Sequence, residues 1–388
     1  MLDQTRHPDA RLGGLDTLRA LAIALVFAYH YRLFVAGAPI FGWAGELGWT
    51  GVDLFFVLSG YLIANQLFRG IAQGQVLSLP AFYGRRLLRT LPVFWVVLAA
   101  FFLFPAYMGG REPPPLWRFL TFTQNIQLTA GTAFSHAWSL CIEEQFYLVL
   151  PAVALVGSRW LRSLKLAWIA LLSLTAAAIA WRASLWELYG AGGLDYHRNI
   201  YYATLGRADE LLPGVALALL KHGHPAAWAA LMRRGQVLLM TGLVACGVVA
   251  WQLHVGYTLA DYSYGFAMTA FGYSLVAWSF ALLVAAALSP ASTLARLRIP
   301  GATQLAAWSY AIYLVHKSIG FAVMKFWLGP AGVAGDSWTA IGIVTGLSIA
   351  VGWLLYALVE TPFMCLRDRW IPDNFARPAT TQLASTPA

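Results

Sequence analysis

Apolar runs long enough to cross a lipid bilayer recur along this chain, and no other feature of it restricts the fold as strongly. A span needs about 20 mostly apolar residues, because a helix rises about 1.5 Å per residue against a hydrocarbon layer about 30 Å thick. Ten segments fit: 15–36, 48–68, 88–107, 138–157, 164–184, 207–222, 236–254, 263–288, 304–328 and 337–358. The sixth is short. Lipid offers the backbone no hydrogen bonds, so each segment is expected to be a helix. Composition agrees: only 11% of the 388 residues are charged, against about 25% in a soluble domain. So few charges cannot cover a water-facing surface, which excludes a disordered chain, a fibrous chain and an ordinary soluble enzyme. The expectation is an all-α integral membrane protein, a bundle of about ten transmembrane helices. One membrane domain is expected over residues 1–370, with a disordered C-terminal tail over 371–388.

The basic residues orient the bundle. An even number of spans puts both termini on one side. With the N-terminus in the cytoplasm, 18 of the 26 Lys and Arg residues fall in cytoplasmic segments or helix ends. The exceptions are Arg32, Arg111, Arg118, Arg182, Arg198, Arg207, Lys317 and Lys325. This is the positive-inside pattern, so both termini are expected to be cytoplasmic. The net charge of +9 then reads as orientation and contact with membrane lipid, not as nucleic-acid binding. The first run contains Arg19 and His30 and can span, so it reads as a helix and not as a cleaved signal peptide.

Other features are quieter. Cys141, Cys246 and Cys365 are far apart and form no CxxC, so they read as apolar thiols. The segment 109–137, with Pro113–Pro115 and several aromatics, reads as re-entrant or interfacial. No internal repeat is visible. No metal is expected, since His222 and His224 alone make a solvated pair.

Ionisable residues at membrane depth are costly and point to function. Arg19 and His30 lie eleven residues apart, about three turns plus 20°, so they share one helix face about 16 Å apart along the axis. His30 suits a general base, because imidazole changes charge near neutral pH. The alternative is a core histidine held by a carbonyl or a tyrosine. Asp53, Glu143 and Glu144 fall at a similar depth to His30. A carboxylate there could orient the imidazole, cap its helix or pair with Arg32. Arg207 and Asp209 open the sixth run, and read either as cavity-lining groups or as a salt bridge. His316, mid-span beside Lys317, reads as substrate-binding or as a structural hydrogen bond. Glu360, followed by Thr361-Pro362, reads as a helix end. Arg86 and Arg89, three apart, present two guanidinium forks on one helix side, which suits phosphate as well as lipid head groups.

These pieces together resemble the membrane-bound acyltransferase-3 family. The matching segments are Arg19…His30, GVDLFFVLSGYLI (Gly51–Ile63) and FYGRRLLRTLP (Phe82–Pro92). WSLCIEEQFY (Trp138–Tyr147), GRADE (Gly206–Glu210), SYAIYLVH (Ser309–His316) and ETP (Glu360–Pro362) follow in family order. The resemblance implies a ten-helix acyltransferase domain in a bacterial inner (plasma) membrane. It implies acyl-CoA as donor, acetyl-CoA above all, and a sugar, polysaccharide or glycolipid acceptor near the outer face. It also implies that His30, Arg19, Arg86, Arg89 and Glu143 match the family's functional positions. Read this way, Arg19, Arg86 and Arg89 hold the CoA phosphates. His30 acts on the acceptor hydroxyl with Glu143 or Asp53 orienting it, and Arg207, Asp209 and His316 lie on the acceptor side. A covalent acyl-histidine stays open as an alternative. Many relatives carry a fused periplasmic SGNH hydrolase-like domain, for which no loop here has the length. That leaves room for a periplasmic partner protein or a homo-oligomer. A proton-coupled transporter is the rival reading, since the same buried groups would also make a proton relay. A receptor or scaffold without catalysis is a third.

Overall fold

A computed structural model describes residues 13–157, 163–190, 193–258 and 263–376. The described chain is helical almost throughout. Its main helices are α1 (Gly13–Tyr31), α2 (Gly51–Ala72), α3 (Leu79–Leu103), α4 (Trp138–Val156) and α5 (Leu164–Tyr189). Then come α6 (Leu212–Gly223), α7 (Gly235–Gly256), α8 (Tyr273–Leu288), α9 (Ala302–Val323), α10 (Trp338–Leu355) and α11 (Thr361–Trp370). Among the described residues, nine helical stretches are long and apolar enough to span a membrane.

The sixth expected span is the one that differs. Residues 204–211 form two short turns, and α6 that follows has 12 residues. α6 alone is short of a bilayer, but the turns and α6 run on without a break over 20 residues, about 30 Å, which is enough to cross one. Every residue from Leu212 to Leu219 is buried, so α6 is enclosed by protein. It packs on α2 at backbone distance. A side chain on Gly60 would strike the Leu211 carbonyl, and one on Gly214 the Val57 carbonyl. Small residues at a helix crossing give this approach, and dispersion between the backbones is what holds it in lipid.

Two boundaries also shift. α3 begins at Leu79, well before the apolar run, because the Ser78 hydroxyl caps it and Pro80 sits in its first turn. Arg85, Arg86 and Arg89 therefore ride on the helix. At the other end of the chain, Pro362 does not end the last helix. A wide turn at Tyr356–Glu360 leads straight into α11, and the Thr361 hydroxyl donates to the Tyr356 carbonyl at 2.9 Å.

Part of the expected tail is ordered. Phe375–Ala376 pairs antiparallel with Val76–Leu77, Arg85 donates to the Ile371 carbonyl, and Arg85 pairs with Asp368 at 3.1 Å. Residues 377–388 lie outside the described part. The segment 109–137 folds back into the bundle. Gln124 and Asn125 are fully buried there. Asn125 donates to the Tyr202 carbonyl (3.0 Å), and Gln145 of α4 donates to the Phe122 carbonyl (2.7 Å) and to Asn125 Oδ1 (3.2 Å). Irregular backbone at this depth needs such partners.

Candidate active site

Two of the cavities lined by α1 hold most of the expected site residues. The first, about 250 Å³, is lined by Arg19 of α1, Ser59 of α2, Arg86 and Arg89 of α3, Glu143, Glu144 and Tyr147 of α4, Tyr310 of α9, and Glu360. The second, about 520 Å³, is lined by His30, His136, His197 and Lys317 and by the rings of Tyr29, Trp49, Trp138, Tyr201 and Tyr202. Val52 and Tyr313 line both. The Tyr313 hydroxyl bonds Ser139 Oγ at 2.7 Å and donates to the His136 carbonyl. The two chambers are therefore neighbours that meet at Val52 and the pinned Tyr313. The shared face of Arg19 and His30 on α1 is present as expected, with one residue opening into each chamber.

In the arginine cavity, Arg86 pairs with Glu144 at 3.2 Å, and its guanidinium lies 3.3 Å from the centre of the Tyr147 ring. Its Nε has no partner. Arg89 is exposed and marks the cavity mouth. Ser59 and Tyr147 donate to the two oxygens of Glu143, at 3.1 and 3.3 Å. Glu143 thus belongs with the arginines, and the structure does not set it against the imidazole of His30. Glu360, expected at a helix end, faces this cavity within electrostatic reach of Arg89 and Arg19.

In the histidine cavity the partner of His30 is another histidine. His316 Nδ1 lies 3.0 Å from the Ile312 carbonyl, so that nitrogen carries the proton. His316 Nε2 then has only a lone pair to offer, and it lies 2.9 Å from His30 Nδ1. His30 must donate through Nδ1, which leaves its Nε2 lone pair free. This tautomer follows from the partners alone. His316 is 3% exposed and lines neither of the two chambers. Its place is behind His30, where the sequence reading had put a substrate contact.

Asp53, Arg207 and Asp209 also differ from expectation, since none lines either chamber. Arg207 pairs with Asp53 (3.2 Å) and takes Glu210 in a two-pronged ion pair. Asp209 pairs with Arg182 of α5 at 2.7 Å, with Ser274 donating to the same carboxylate at 2.5 Å. Both arginines are fully buried. Charges this deep persist only when paired, and that demand draws the carboxylates away from any cavity. The Arg207 guanidinium lies 5.0 Å from the Trp138 ring centre and 4.6 Å from that of Tyr201. The network thus underpins the aromatic wall of the histidine cavity. Sequence reasoning gave no role to His136, Tyr313 or Arg182. His136 stands two residues before the Trp138 segment, and its proximity to that segment was the available signal.

Comparison with known proteins now places the chain. A family model described as an acyltransferase domain matches residues 12–357. The chain belongs to this acyltransferase family. Among its relatives is the peptidoglycan O-acetyltransferase OatA of Listeria monocytogenes, 34% identical over 229 residues, covering 55% of this chain and 35% of the relative. A Bacillus subtilis protein provisionally named as a peptidoglycan O-acetyltransferase, YrhL, is 36% identical over 235 residues, 56% of this chain and 34% of its own. A Staphylococcus aureus protein provisionally named as an O-acetyltransferase is 30% identical over 228 residues, 53% and 34% of the two chains. The matched part is thus about a third of these relatives' length. No solved structure matches the chain.

Proposed function

We propose that this protein is a membrane-embedded O-acetyltransferase that moves an acetyl group from acetyl-CoA to a hydroxyl of a glycan. The reading rests above all on one observation: a chamber of arginines and a chamber of histidines meet at Tyr313. Arg19, Arg86 and Arg89 hold the phosphates of the CoA at the first chamber, where forked guanidinium groups suit phosphate oxygens. The arm between nucleotide and thioester is comparable to the spacing of about 16 Å between Arg19 and His30. The thioester then lies beside Tyr313, and the acceptor hydroxyl enters the second chamber. His30 Nε2 takes the hydroxyl proton as the oxygen attacks the thioester carbonyl. The carbon–sulfur bond breaks, and the imidazolium returns the proton to the departing CoA thiolate. Nδ1 keeps its proton throughout, held by His316.

The arginine chamber faces the cytoplasm in this reading, where acetyl-CoA is available, and the aromatic chamber faces outward in a bacterial plasma membrane. The names of the relatives support a cell-wall glycan as acceptor. Those relatives are longer, so a further domain or a partner protein finishing the transfer belongs to the same proposal. Purified protein given acetyl-CoA and a soluble glycoside should release CoA and form an acetyl ester, and His30→Ala should do neither. Ester formation by His30→Ala at the wild-type rate would remove His30 from the chemistry.

A further inference from the structure

The histidine cavity is unusual in its charge. None of the described residues lining it is Asp or Glu, yet Lys317 and Arg111 both line it. Lys317 Nζ has the Ser135 hydroxyl at 3.2 Å and the Phe34 ring centre at 4.1 Å. Neither carries a negative charge. Three buried or nearly buried arginines are treated differently. Arg182 has Asp209 at 2.7 Å, Arg207 has Asp53 at 3.2 Å, and Arg86 has Glu144 at 3.2 Å. A charge kept in a low-dielectric site without a counter-ion is costly, and proteins retain one chiefly where a ligand supplies the opposite charge. A second, independent observation lies beside it. His136 is 3% exposed, lines the same cavity, donates through Nε2 to the Leu314 carbonyl, and leaves the Nδ1 lone pair without a partner, which calls for a donor such as a hydroxyl on the same ligand while the anion goes to Lys317.

We infer that the molecule received in the histidine cavity carries an anionic group, a carboxylate or a phosphate, which docks on Lys317. The word acceptor for that molecule rests on the acyl-transfer reading, whereas its charge does not. Lys317 stands four residues beyond Tyr313 on α9, about 6 Å further from the partition along the axis. An anion there sits away from the thioester, which leaves the hydroxyl to meet His30. Arg111, exposed and without an ion pair among the described residues, adds a second positive charge at the rim and draws anions in. A cavity of about 520 Å³ admits a sugar ring with such a substituent, and the surrounding indole and phenol rings suit its apolar face. Sugars bearing a uronic carboxylate or a phosphate ester fit this description. Neutral sugars leave Lys317 as uncompensated as before.

Calorimetric titration of the full chain in detergent, without donor, tests this with three probes. These are methyl glucoside, methyl glucuronoside and methyl glucoside 6-phosphate. At least one anionic probe should bind about tenfold more tightly than the neutral one, the scale of one charge-assisted contact. The preference should vanish in Lys317→Met, survive in part in Lys317→Arg, and weaken less in Arg111→Ala. The relative strength of the two anionic probes tells carboxylate from phosphate. Equal or absent binding of all three by wild-type protein overturns the inference. So does a preference that persists in Lys317→Met. If Lys317→Met fails to fold, the wild-type ranking and Lys317→Arg decide. Anionic preference without acetyl-CoA turnover would sink the transferase reading and leave this one standing. Turnover on neutral and anionic glycosides alike would do the reverse.

Discussion

His316 lies 2.9 Å from His30, nitrogen to nitrogen, and its own second nitrogen is held by the Ile312 carbonyl at 3.0 Å. The Ile312 carbonyl therefore fixes the proton of His316, and His316 together with the Val26 carbonyl fixes that of His30. His316→Phe removes the side-chain acceptor for His30 Nδ1, leaves the Val26 carbonyl as its remaining partner and loosens the hold on the imidazole's tautomer and orientation. We expect turnover to fall about 10²- to 10⁴-fold, the range seen when the residue that orients a catalytic histidine is lost, with KM for acetyl-CoA little changed. His316→Gln can still accept from Nδ1 and should recover part of the rate. A steady-state comparison of the two variants checks this, and equal losses in both would argue for a packing role.

Arg86 is tied to Glu144 and stacked on Tyr147. Arg86→Ala should raise KM for acetyl-CoA by about tenfold or more, the size of a lost charge-assisted contact. It also strands Glu144, so the melting temperature should drop, and Arg86→Ala combined with Glu144→Gln should regain stability without regaining affinity. Donor titrations and thermal melts of the single and double variants separate the two effects.

Asp53 belongs to the scaffold in this structure. Arg207→Leu would leave Asp53 and Glu210 as buried, unpaired carboxylates, a change that costs about 3–5 kcal/mol. We expect it to reduce the yield of folded protein sharply. Asp53→Asn, which keeps the shape and a hydrogen bond, should lower stability less and leave the pH profile of turnover unmoved. A shifted pH profile in Asp53→Asn would restore Asp53 to the chemistry.

Tyr313 stands where the chambers meet. Tyr313→Phe keeps the ring but loses the bonds to Ser139 and to the His136 carbonyl, at a cost of about 1 kcal/mol. Tyr313→Ala should remove the partition and admit water to the thioester. CoA release in the absence of any acceptor should then rise relative to ester formation. An unchanged ratio of hydrolysis to transfer in Tyr313→Ala would show that the partition lies elsewhere.

The sequence showed what periodicity and hydropathy can show. Nine spans, the shared face of Arg19 and His30, and the gathering of Arg86 and Arg89 are local properties of single helices. What it hid is pairing across the chain. His30 meets His316 across 286 positions, and Asp53 meets Arg207 across 154. No local pattern tells which carboxylate answers which arginine. Asp53 and Glu143 looked alike as acids one turn or two inside a span. The deciding factor was Arg207, whose own burial required two carboxylates and took Asp53 as one of them. What covers α6 was hidden for the same reason. Its apolar residues are hidden by neighbouring helices and not by lipid, and hydropathy does not distinguish the two.

The strand pair between Phe375–Ala376 and Val76–Leu77 has a topological consequence. It clasps the last described residues to the loop that leads into α3, beside the arginine mouth. Polypeptide continuing past Ala376 sets out from that end of the bundle. Any appended unit meant to work at the histidine cavity starts from the arginine end and has to reach around the bundle to get there. A tag or reporter joined at this point would instead crowd the mouth of the arginine cavity.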